Sequence, residues 1–309
     1  MEDEEFEEKI KKLEKEEVEK TIKAGRILSK VREESRSWAK PGMLLEELAE
    51  KIESAIRAGG AECAFPANLS INSNAAHYTP QLNDPAVIGE NDMLKIDIGA
   101  HIDGFVADTA YTIDFSGKNE NLLQASKNAL KSALELCKPG VLISDISSAI
   151  EKEIVNLGFK PIENLTGHGL SRYVVHDEPA IPNVAFKSGQ RLEEGMILAI
   201  EPFSTNGAGR VKDSEQRLIF SFAQPRPVRN PLARKIVDLS GKYHTLPFAE
   251  RWIQRELGAS SFSFRMAMKE LLDNEVLRSY PVLREQNDGL VAQFEHTVIV
   301  KEEPVVVTE

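Results

Sequence analysis

Apolar residues recur at helical spacing through the opening of the chain, at Phe6, Ile10, Leu13, Ile22, Ile27, Leu28 and Val31, in a dense background of Glu and Lys. The pattern predicts one long helix over roughly the first 38 residues, stopped by Pro41-Gly42. A second helix is expected from Leu44 to Ala58, closed by Gly59-Gly60. The pattern then changes to short apolar runs. Met93 to Gly99, a turn at His101-Ile102-Asp103-Gly104, and Phe105 to Ile113 read as a β-hairpin with an Asp-Gly signal. With the turn centred near Ile102 and Asp103, residues 97 and 108 would stand opposite one another and leave the same face of the sheet. Two further apolar runs, Met196 to Phe203 and Leu290 to Val300, are interrupted by Glu201 and Glu295. Between them Pro225, Pro227 and Pro231 open a stretch with helical patterns at Leu232–Leu239, Pro247–Leu257 and Phe264–Asn274. Residues 223–283 therefore read as a small helical insertion within a single domain spanning 1–309.

The chain also echoes itself. Lys40-Pro41-Gly42-Met43-Leu44, ahead of a helix, returns as Lys138-Pro139-Gly140-Val141-Leu142 ahead of Asp145-Ile146 and Ile150-Glu151. Met93 to Asp97 resembles Met196 to Glu201 with one residue added, which aligns Ile96-Asp97 with Ile200-Glu201. Two related halves would each bring carboxylates to a shared centre.

Composition narrows the classes. With 309 residues and 41% hydrophobic content the chain can build a core of its own, and a formal charge of −11 argues against a general nucleic-acid surface. No apolar stretch approaches the roughly 18–20 residues that cross a bilayer, and the start is acidic rather than leader-like, so a cytoplasmic protein is expected. The run Glu2 to Glu8 reads as a solvated helix end. Cys63 and Cys137 match neither a disulfide framework nor a paired metal motif, and read as reduced thiols.

The chemistry lies in five dispersed side chains: Asp97, Asp108, His168, Glu201 and Glu295. Any one acid could be a strand-end residue satisfied by water. Four carboxylates in strand-like apolar runs repel one another unless a cation lies between them. Carboxylates with one imidazole suit Mn, Fe, Co or Zn, and bridging carboxylates suit a pair of ions. His77, in a polar loop, and His176, a little beyond His168, are placed where a loop could offer them to a substrate, although either alone is more often a surface residue. His101, in the turn, His296, facing away from Glu295, and His244, on the surface, read as structural.

The runs Ala75-Ala76-His77-Tyr78-Thr79-Pro80, Lys95-Ile96-Asp97-Ile98-Gly99, Gly167-His168, Ala199-Ile200-Glu201-Pro202-Phe203 and Gln293-Phe294-Glu295-His296-Thr297 resemble those of methionine aminopeptidases, specifically the archaeal type 2 branch. The resemblance covers nearly the whole chain, and the stretch 223–283 fits the insertion that separates type 2 from type 1. It implies an α+β pita-bread fold, a curved antiparallel sheet backed by helices with a pseudo-two-fold repeat. It implies two divalent ions (Co, Mn, Fe, Zn or Ni) on Asp97, Asp108, His168, Glu201 and Glu295. Hydroxide held there would attack the first peptide bond of a nascent protein with a small second residue. Glu201 would also move the proton, His77 and His176 would contact the substrate, and Phe65, Val175 and Tyr280 would line the methionine pocket. The partners implied are N-terminal methionyl peptides and nascent chains, met by a monomer. No basic patch in the sequence supports a transient ribosome association. Two alternatives remain open, a proline-directed aminopeptidase of the same fold and a non-catalytic pita-bread binding protein.

Overall fold

The computed structural model describes residues 2–309, and residues 2–14 for their helical backbone alone, so the side chains of the acidic run Glu2 to Glu8 lie outside it. In chain order the elements that matter are α1 (Glu2–Trp38), α2 (Leu45–Ala58), β1 (Asn68–Ile71), β2 (Met93–Ile102), β3 (Phe105–Asp114), α3 (Glu120–Glu135), α4 (Ile143–Asn156), β4 (Thr166–Ser171), β5 (Val174–Pro182), β6 (Ile197–Ile200), β7 (Val211–Phe222), α5 (Pro231–Ser240), α6 (Glu250–Leu257), α7 (Ser261–Asp273), β8 (Leu277–Glu285), β9 (Val291–Gln293) and β10 (His296–Ile299). All strand pairings among them are antiparallel. No helix among the described residues is long and apolar enough to cross a membrane.

The hairpin β2–β3 forms as the pattern predicts, with one shift in register. Asp103 and Gly104 take the two left-handed positions of the turn, at φ 53° and 91°, the geometry that Asp-Gly supplies in a two-residue hairpin loop. The turn therefore centres one residue later than expected. Asp97 faces Ala110 and Asp108 faces Gly99, so the two aspartates are diagonal rather than opposite, yet still on one face. His101, expected in the turn, lies in β2 opposite Val106.

The repeat is built in backbone. Leu44 bridges Val87 and Leu142 bridges Arg191 as isolated pairs. Gly42 N–H donates to Ile88 O as Gly140 N–H donates to Leu192 O, and Ile88 and Leu192 return the bond to Met43 O and Val141 O. Each Pro-Gly turn thus ties the start of a helix to the segment that leads into a central strand. Helices α1 to α4 share one core with the central strands. On α2 the inward residues are Leu45, Leu48, Ala49, Ile52 and Ile56, the period of a one-faced helix.

Residues 223–283 hold α5, α6 and α7 around a core of their own, including Ala233, Ile236, Phe248, Ile253, Phe264 and Leu271. The end of the stretch is strand, because β8 pairs with β7 and with the short strand Asn74–Ala76. A buried polar network joins α6 to the rest. The Arg251 guanidinium pairs with Glu53 of α2, Trp252 Nε1 donates to Glu53 Oε2 at 2.7 Å, and Arg251 also donates to Thr79 Oγ1 and Pro80 O. Ala67 N–H donates to the same Glu53 carboxylate at 3.2 Å. The loop that carries Phe65 and His77 is thereby anchored at both ends.

Glu285, at the end of β8, is a second anchor near that loop. Its carboxylate accepts the backbone N–H of Ala208, Gly209, Asn287 and Gly289. Burial alone would raise its pKa, but the four donors together outweigh burial and hold it below the usual carboxylate range. A depressed folded-state pKa means stability that is present above the unfolded pKa and lost as pH falls through the folded one. Glu285→Gln is expected to cost about 2 kcal/mol near neutral pH and to flatten the stability loss below about pH 4, measured by urea unfolding across pH 3–7. Parallel pH profiles for variant and parent would refute it.

Candidate metal centre

Each carboxylate reaches the centre by a different local device. Asp97 and Asp108 project from the hairpin, while Glu201 follows the last residue of β6 and Glu295 occupies the gap between β9 and β10. At that gap the ladder is broken, and threonine hydroxyls replace it. Thr109 Oγ1 donates to Glu295 O at 2.7 Å, Thr112 Oγ1 to Gln293 O at 2.8 Å, and Thr297 Oγ1 to Asp108 O at 2.7 Å. Glu295 N–H donates to Ala110 O. The result fixes Glu295 beside Asp108 where ordinary strand pairing cannot.

His168, on β4, has Nδ1 3.1 Å from Gly169 O. A carbonyl only accepts, so Nδ1 carries the proton and a neutral ring turns the Nε2 lone pair outward. That nitrogen lies 3.3 Å from Glu201 Oε1 and 4.0 Å from Asp108 Oδ2. Asp108, His168 and Glu295 each offer a ligand atom within 4.8 Å of the others, and all three are buried. Among the described residues, Asp97 Oδ1, Asp108 Oδ1 and Glu295 Oε1 are buried with no hydrogen-bond partner. Burial, followed by the neighbouring carboxylates, pushes Asp97, Asp108 and Glu295 well above the ordinary carboxylate range. Orphaned carboxylate oxygens facing an imidazole lone pair are what a divalent cation neutralises, so the donor set fits metal.

The centre forms the floor of a cavity of about 440 Å³. Its wall includes all ten residues singled out in the sequence: the five above together with His77, His176, Phe65, Val175 and Tyr280. His77 sits at φ 65°, a left-handed backbone position uncommon for a side-chain-bearing residue, and its Nδ1 is 3.1 Å from Pro281 O. The His176 ring meets His168 edge-on at 4.7 Å. Burial lowers the pKa of His77, and burial with the neighbouring His168 and His77 lowers that of His176 well below its ordinary value. Phe65 comes close to the hairpin because Gly99 has no side chain; a Cβ there would lie 2.2 Å from the Phe65 ring.

The sequence profile of metallopeptidase family M24 matches residues 19–302, a span that holds all five metal-ligand candidates. The chain belongs to metallopeptidase family M24. A methionine aminopeptidase of Archaeoglobus fulgidus is 47% identical to this M24 chain over 291 residues, covering 94% of the chain and 97% of the relative. Among solved structures, a thermophilic Arx1 superposes with a TM-score of 0.82 at 20% identity, covering 93% of this chain and 89% of that one. A methionine aminopeptidase of Thermotoga maritima gives 0.69 at 22% identity, with coverages of 95% and 97%. At such identities these structures speak for the fold, the pita-bread arrangement of curved antiparallel strands backed by helices.

Four positioning residues of this M24 metallopeptidase escaped the sequence reading. Thr109, Thr112 and Thr297 carry the seam described above, and Gln293 donates to Glu201 Oε2 at 3.2 Å. Threonine is the ordinary residue of a strand, so nothing marks these three in sequence except that each lies within four residues of a ligand.

Proposed function

We propose that this metallopeptidase is a type 2 methionine aminopeptidase, removing the N-terminal methionine from nascent proteins with a small second residue. The supporting observation is a complete set of four carboxylates and one imidazole lining one cavity whose wall also includes Phe65, Val175, Ile219 and Tyr280, in a chain whose relatives at 47% identity are named methionine aminopeptidases. Asp97, Asp108, His168, Glu201 and Glu295 would hold two divalent ions (Co, Mn, Fe, Zn or Ni). When bound, such ions acidify water and polarise a peptide carbonyl.

The remaining chemistry belongs to the chain. Glu201, oriented by Gln293 and His168, takes a proton from the attacking water and returns it to the departing amine. His77 has committed Nδ1–H to Pro281 O, so its neutral Nε2 accepts, and it suits a substrate backbone N–H. His176 makes no such commitment to backbone and can donate toward the oxygen on which charge develops. Phe65, Val175 and Tyr280, with Ala76 and Ile219, offer an apolar wall to one flexible, unbranched thioether side chain. We read the enzyme as a cytoplasmic monomer acting on N-terminal methionyl peptides and nascent chains, with neither membrane nor nucleic acid as partner.

The test is metal-stripped protein assayed on Met-Ala-Ser and Ala-Pro peptides with Co, Mn, Fe and Zn added back. Release of methionine from the first is expected; cleavage of the second alone would favour the proline-directed alternative. His77→Ala is expected to lose turnover by more than about tenfold while keeping its metal content. A parallel fall in bound metal would make His77 a ligand instead.

A further inference from the structure

Two arginines of this chain are almost fully buried, and they differ in one respect. Arg251 is 0% exposed and is neutralised by Glu53. Arg32 of α1 is 8% exposed and has no carboxylate within ion-pair distance among the described residues. One of its terminal nitrogens donates to His296 Nε2 at 3.0 Å, a neutral partner, its guanidinium lies 5.6 Å from the Tyr111 ring centroid, and its Nε has no hydrogen-bond partner among the described residues. Buried charges are ordinarily paired, since an uncompensated guanidinium in a poorly solvated site is costly. Burial and then the neighbouring Arg36 lower the Arg32 pKa to about 10, outweighing the opposing pull of Glu33, Tyr111 and Glu295.

Arg32 borders a groove of about 450 Å³ between α1, α3 and the C-terminal segment, lined also by Phe294 and His296. Arg36, Lys127 and Lys131 line it as well, over an apolar base of Leu130, Leu134 and Phe294. Lys131 has no carboxylate partner among the described residues, while Arg36 and Lys127 pair only with exposed Glu33 and Glu120. Glu135 and Glu309 also border the groove, and neither forms an ion pair with these cations among the described residues. Four cations converging on one groove stand out in a chain of net charge −11.

We propose that this groove is a binding site for a small oxyanion, a carboxylate or a phosphate, held by Arg32 with Arg36, Lys127 and Lys131. A planar carboxylate or a phosphate face would accept from the Arg32 guanidinium at the edge of the groove and from the neighbouring ammonium groups as charge-assisted hydrogen bonds. The groove shares no lining residue with the metal-centre cavity, although Phe294 and His296 stand either side of Glu295, and the proposal does not depend on the reaction assigned there.

The test is calorimetric titration of inorganic phosphate, and separately of succinate, into the metal-loaded protein and into the double variant Arg36→Gln, Lys131→Gln. Both changed residues are exposed, so folding is preserved. Wild-type protein is expected to bind at least one of the anions with Kd of about 1 mM or tighter, and the double variant at least about tenfold more weakly, with methionine release unchanged. Whichever anion shows the difference identifies the source. Phosphate can also reach the metal centre, so the ¹⁵N–¹H signal of Arg32 Nε supplies the second reading: it should shift on titration in wild type and not in the variant. Equal affinities for wild type and variant, with a static Arg32 signal, would overturn the proposal.

Discussion

Asp97→Asn and Glu295→Gln are each expected to abolish metal-dependent release of methionine from Met-Ala-Ser, a loss of at least about 10³-fold. Both changes keep shape and remove a charge that only a cation compensates: Asp97 Oδ1 and Glu295 Oε1 are buried without a partner among the described residues, and burial with neighbouring carboxylates holds both groups far above their ordinary pKa. The same physics makes the fold indifferent or better off. In metal-stripped protein each substitution relieves like-charge repulsion, so its melting temperature should equal or exceed that of the stripped parent, while the rise on adding metal shrinks. Full activity in either variant would sink the assignment of these ligands. A lowered melting temperature in the stripped state would mean that the carboxylates are structural rather than held for an ion.

The second large effect is on stability. Glu53→Gln or Arg251→Met should each destabilise the protein by about 3–5 kcal/mol, because either leaves one member of a buried pair without its counter-charge. Replacing both at once by Leu and Met should recover only part of that loss, because the uncompensated charge is gone but Trp252 Nε1 and Ala67 N–H still lose their acceptor. Urea unfolding of the four proteins decides it; single variants within about 1 kcal/mol of wild type would show the pair to be incidental. Turnover should fall in the single variants as well, since Arg251 holds Thr79 and Pro80, which follow His77. The 223–283 stretch is thus tied mechanically to the cavity wall, to which it contributes Pro247 and Tyr280.

What could be read from the sequence was what depends on local pattern. The hairpin was legible because an Asp-Gly pair between apolar runs has few alternatives, and the error in its centre did no harm to the shared face of Asp97 and Asp108. The tandem turns at Pro41-Gly42 and Pro139-Gly140 were legible for the same reason. Long-range pairings were not. Glu53 and Arg251 are 198 residues apart, and each alone looks like a charge on a helix surface. The cationic groove was hidden likewise, since Arg32, Arg36, Lys127 and Lys131 come from two helices that only the fold sets side by side. The final strand of the 223–283 stretch was read as part of a helical unit because its partner, β7, lies outside the window in which periodicity is judged.

The two-residue turn at Asp103-Gly104 has an evolutionary corollary. Adding or deleting a single residue within either strand between positions 97 and 108, unless a bulge absorbed it, would rotate one aspartate to the far side of the sheet and erase half of the hairpin's contribution. Point substitutions at the turn are survivable; an indel that no bulge absorbs is not. Length variation in such a protein is better tolerated where no parity is at stake, and a segment with its own core, lying in sequence between Glu201 and Glu295, is the kind of place where it can accumulate.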